Sequence, residues 1–144
     1  MAEPSTPQSP DQLTDEQRTT WVREHFQAAN KFLAEQGIIT ERVLTKESRY
    51  IAPIVAVWKF QTQDKKEVWV INGDVPTDLA AGKNAKDARD ATRHFSLQWQ
   101  VKAEVVAHQA QGDRQQLNYA NYLVNRAEQL YDVFEDEKLW QQHA

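Results

Sequence analysis

The chain has 144 residues, 40% hydrophobic and 10% aromatic, with five tryptophans and no cysteine. That is enough for one globular domain with a real core, and it excludes disulfides, thiolate metal sites and a cysteine nucleophile. A net charge of -4 argues against nucleic acid, which is held by lysine and arginine displacing counterions, and no apolar run approaches the roughly 20 residues that span a bilayer.

Residues 1–12 set Pro4, Pro7 and Pro10 among serine, threonine and glutamine, so they read as a disordered tail and leave 13–144 as a single domain. The opening has neither a basic start nor an apolar stretch, so no secretory signal is expected and the cytoplasm is the default compartment. Thr14 and Gln17 have the spacing of a capping box, with Asp15 and Glu16 in the first turn where the helix dipole favours negative charge. Val22, Phe26, Ala29 and Leu33 continue at four, three and four residue steps. This predicts an amphipathic helix to about Gln36, ended by Gly37.

Residues 38–48 alternate loosely and are rich in β-branched types, predicting a first strand. After Pro53, residues 54–62 predict a second, with Ile54, Ala56, Trp58 and Phe60 on one face. A charged turn at 63–66 leads into a third, 67–72. Without a crossover helix between them, these strands form a three-stranded antiparallel meander. The 73–78 turn, which includes Pro76, then reads as a strand-to-helix connection, and Asn84 as the cap of a helix over 84–110.

That helix carries two apolar stripes. One holds Ala88, Thr92, Phe95, Trp99, Ala103 and Val106; the other holds Leu97, Val101 and Val105, which predicts a helix sandwiched between two layers. Asp113 and Gln116 repeat the capping-box spacing and open a third helix, from Arg114 to about Gln141, antiparallel to the second. The expected fold class is therefore α+β: an N-terminal helix, a three-stranded antiparallel β-meander, then two long antiparallel C-terminal helices.

Three constellations carry possible chemistry. Asn72, Asp74, Thr77 and Asp78 make an oxygen-rich lip of the kind that can bind hard cations, although the same residues serve a rigid turn, and the spacing does not fit a calcium loop. Asp90 and His94 share a helix face, the arrangement of a carboxylate-oriented general base; a hydrogen-bonded structural histidine is the plainer reading, since no serine, cysteine or metal set accompanies it. Lys83, Lys86, Arg89 and Arg93 cluster at the start of the second helix and could receive an anion, or form a solvated charged face. No multi-histidine or H-E-x-x-H spacing appears, so neither metal nor cofactor is expected. Trp58 and Trp69 belong either to the core or to an exposed apolar patch on an uncovered sheet face, and Trp140 could anchor a partner or a dimer.

Four blocks, K-E-S-R-Y-I-A-P at 46–53, W-V-I-N-G-D-V-P-T-D at 69–78, R-H-F-S-L-Q-W-Q at 93–100 and R-A-E-Q-L-Y at 126–131, together resemble an uncharacterised bacterial family classed as a domain of unknown function. The resemblance runs from about Thr14 to Trp140. It implies a small cytoplasmic bacterial protein and carries over no reaction or catalytic residue.

Two functional readings follow. The first is a noncatalytic protein-interaction or regulatory module, binding a protein partner or a second copy of itself. The alternative is a small-ligand-binding protein or small enzyme with a polar pocket between the 73–78 turn and helix 84–110, using Asn72, Asp74, Thr77, Asp78, Arg89, Arg93 and His94.

Overall fold

The computed structural model describes residues 12–141; the tail read at 1–12 lies outside them except for Gln12. Ten elements follow in order: α1 (Asp15–Glu35), β1 (Thr40–Val43), β2 (Arg49–Ile51), β3 (Val55–Thr62), β4 (Glu67–Gly73), β5 (Asp78–Ala81), a 3-10 turn (Gly82–Asn84), α2 (Ala88–Ala110), α3 (Arg114–Glu135) and α4 (Glu137–Gln141). The fold is α+β, as expected, with a central antiparallel sheet. The sheet has five strands rather than three.

Two features account for the difference. The expected first strand is broken: β1 pairs with the C-terminal end of β3 and β2 with its N-terminal end, along the same edge. Across the break the Leu44 N–H donates to the Lys59 carbonyl at 2.7 Å, and the Ser48 hydroxyl accepts from the Lys59 N–H at 2.9 Å. A side chain thus stands in for a missing rung of the ladder. The second feature is β5, which pairs with β4 from Val68↔Ala81 to Ile71↔Asp78. The 73–78 turn therefore joins two strands instead of leading to a helix. Gly73 permits it: its φ is +122°, and a Cβ there would stand 2.6 Å from the Ile54 carbonyl oxygen.

Helix α1 begins on the expected capping box, with the Thr14 hydroxyl accepting from the Gln17 N–H and the Gln17 side chain accepting from the Thr14 N–H. It ends at Gly37, φ +80°, where Gly37 N–H donates to Ala34 O and Ile38 N–H to Leu33 O. Helix α2 starts later than expected. Asp87, not Asn84, is its cap, and its carboxylate accepts from the Asp90 N–H at 2.8 Å while Asn84 closes the 3-10 turn. Helix α3 ends earlier, at Glu135. Asp136 leaves helical geometry, and the Trp140 indole of α4 folds back to donate to the Val133 carbonyl at 3.0 Å. Trp140 packs against the core by this contact.

The sheet separates two apolar cores. On one face Ala56, Trp58, Phe60, Val68 and Val70 meet Ala29 and Leu33 of α1. On the other, Val55, Val57, Trp69 and Ile71 meet Phe95 and Trp99 of α2 and Leu123 and Leu130 of α3. Trp58 is 3% exposed and Trp69 0%, on opposite faces, so both are core residues and do not form a surface patch together. The α2–α3 hairpin closes over small residues, Ala103, Ala120 and Ala127, and the Ser96 hydroxyl crosses it to donate to the Ala127 carbonyl at 2.8 Å. The expected sandwiching of α2 fails. Its first stripe is buried except for half-buried Val106, but Leu97, Val101 and Val105 are 39%, 62% and 48% exposed.

Candidate functional site

The polar lip around the 73–78 turn does not converge. Asn72 sits at the end of β4 on the α1 side, 3% exposed, where it accepts from the Trp58 indole at 3.1 Å and donates to the His25 carbonyl at 2.8 Å. It stitches α1 to the sheet. Asp74 lies beside Arg126 of α3 at 3.6 Å, and Thr77 is exposed. Asp78 turns inward: one carboxylate oxygen accepts from the Trp99 indole at 3.0 Å and from Gln98 at 3.1 Å, the other from the Leu79 N–H at 2.8 Å.

The candidates on α2 also part company. Arg89 donates to the Phe134 carbonyl at 2.9 Å and reaches Glu137 at 3.3 Å, binding the start of α2 to the end of α3. Arg93 is exposed. Asp90 spends its carboxylate on the Lys86 N–H at 3.0 Å, so it does not orient His94. His94 lies edge-on to Phe95, and its Nε2 is buried without a hydrogen-bond partner among the described residues. Among those residues, no group of three or more histidine, cysteine or acidic side chains is placed to hold a metal.

A different cavity gathers charge. About 320 Å³ in volume, it lies between the 46–49 turn, the start of α2 and α4. Lys46, Arg49, Lys86 and Arg89 line it, with Trp140 as an aromatic wall. Two acids, Glu47 and Asp87, also reach it, but Asp87 caps α2 and Glu47 is tied to Lys59 at 2.9 Å. Lys59 is almost buried over the Trp69 ring between Glu47 and Glu67. Burial alone would lower its pKa, yet the hydrogen bonds and charges of the two glutamates outweigh burial and leave it raised. Arg49 donates to the Tyr50 and Leu139 carbonyls, while its Nε is buried without a partner among the described residues. Burial lowers its pKa from the usual arginine value.

Of this set, the sequence pointed to Lys86 and Arg89 and missed Lys46 and Arg49. The signal that would have found them is the broken edge strand, which folds the 46–49 turn toward α2.

The outer face of the α2–α3 hairpin is a second feature. On α2 it exposes Leu97, Val101 and Val105, and on α3 Leu117 and Val124 are 38% and 39% exposed. Leu97 and Tyr131 line a shallow depression of about 390 Å³ between the helices, rimmed by Glu128 and Asp132.

These features define an α+β domain whose sheet is covered on both faces, with a basic cavity beside α2 and an apolar stripe of α2 left open. No helix among the described residues is long and apolar enough to cross a membrane. The chain belongs to the family of domains of unknown function DUF4826, whose profile matches residues 15–140. No curated protein and no solved structure matches it.

Proposed function

We propose that the protein is a noncatalytic cytoplasmic interaction module, formed by residues 13–144 as a single domain, that docks a protein partner on the outer face of the α2–α3 hairpin. The supporting observation is the exposed stripe of Leu97, Val101 and Val105, placed one helical turn apart on α2. An apolar stripe of this kind on a helix hairpin is the surface a partner helix covers. The rim is acidic, with Glu104 in phase with the stripe and Glu128 and Asp132 across the depression. The fitting partner is therefore an amphipathic helix whose apolar face is flanked by lysine or arginine.

Val101→Asp tests this reading, because Val101 is the most exposed member of the stripe and its replacement leaves the core intact. Affinity capture of the tagged protein from its native cells, read by mass spectrometry, should retain a partner with a basic amphipathic helix. The variant should lose it, and added salt should weaken it. Identical captures from the two proteins overturn the proposal.

A further inference from the structure

We propose that the cavity lined by Lys46, Arg49, Lys86, Arg89 and Trp140 is a binding site for a small phosphate ester. It lies apart from the hairpin face and stands or falls independently of it.

The argument starts from charge. In a chain of net charge -4, this cavity gathers four cations against two acids; Asp87 caps the α2 N-terminus, Glu47 is paired with Lys59, and of the four cations Arg89 is paired with Glu137. The ammonium groups of Lys46 and Lys86 have no ion pair or hydrogen bond among the described residues. The Arg49 guanidinium adds positive charge to the wall while its terminal nitrogens hold the Tyr50 and Leu139 carbonyls. Two ammonium groups free of protein acceptors beside two guanidinium groups favour an anionic oxygen as their partner.

The count of donors favours phosphate over carboxylate. Two free ammonium groups, each with three donors, suit a group with three terminal oxygens and a charge approaching two. Because Asp87 already occupies the end of α2, recognition falls to side chains and does not rest on the helix dipole. Trp140 supplies an apolar flank, held by its indole bond to Val133, against which the organic part of an ester can lie. A volume of about 320 Å³ is at the lower end of the range for small-molecule pockets, which limits the ester to a compact one.

Phenyl phosphate and inorganic phosphate, titrated at constant ionic strength and followed by the Trp140 indole and Ala88 amide signals in NMR, test the site. Both should give saturable shifts, phenyl phosphate at lower concentration because it also covers Trp140. Lys46→Ala/Lys86→Ala should weaken both by about tenfold or more, and Lys31→Ala, a charge removed from the exposed side of α1, should leave both unchanged. Both lysines are exposed, so the double variant keeps the fold. Unsaturable shifts, or equal affinity in the wild type and the double variant, overturn the proposal. Val101→Asp should bind phenyl phosphate like the wild type, which separates this outcome from that of the hairpin.

Discussion

At Asn72 and Asp78, two of the four lip residues, each carboxylate oxygen and amide group is matched by a protein donor or acceptor: two indoles, a glutamine, a helix carbonyl and a strand N–H. In the 46–49 turn, Ser48 and Glu47 are spent on strand β3 and Lys59, while Lys46 and the Arg49 Nε keep unused donors. The two segments are similarly polar in composition. Polarity in a sequence thus marks a place where hydrogen bonds are needed, and only the pairing shows whether the fold or a ligand supplies them.

The largest effect that separates the two regions comes from Asn72. Asn72→Ala strips the buried Trp58 indole of its acceptor and removes the side-chain donor that ties the His25 carbonyl of α1 to the sheet, and should cost roughly 2–3 kcal/mol in chemical denaturation. A loss under about half a kcal/mol would make Asn72 a spare polar group like those of the other turn. Lys59 gives a smaller, pH-dependent effect. Its folded pKa lies above the unfolded one, so its contribution is fully present below the unfolded value and fades as pH rises through the folded value. Denaturation midpoints should therefore fall in the alkaline range, above about pH 10, more steeply in the wild type than in Lys59→Met. The smallest effect belongs to Lys46→Ala/Lys86→Ala, which should change stability by no more than about 0.5 kcal/mol. A large loss there would show that the fold, and not a ligand, uses those charges.

The helices were legible in the sequence because each carries its own signal: a capping box at Thr14, an acidic cap before α3, and apolar residues at helical spacing. Trp99 and Phe95 fell on the buried stripe for the same reason. β5 was not legible. Asp78, Leu79, Ala80 and Ala81 include no β-branched residue, and their pairing with β4 arises from the turn that Gly73 permits. The cap of α2 was ambiguous because Asn84 and Asp87 both suit the role and only Asp87 directs its side chain to the helix. Reading two apolar stripes as a sandwiched helix failed because periodicity reports which residues are apolar, not which are covered. The basic cavity was half legible, in Lys86 and Arg89. Lys46 and Arg49 join them from some forty residues away, a proximity set by tertiary folding alone.

The break between β1 and β2 also affects how the molecule behaves in a crowd of its own copies. A long straight edge strand offers a row of free backbone groups to which another chain can add, which is a route to fibrils. Here that edge is cut into segments of four and three residues, with a further register shift between Thr40 and Arg42, and the opposite edge, β5, is only four residues long. Neither side of the sheet offers a template long enough for a neighbour to extend.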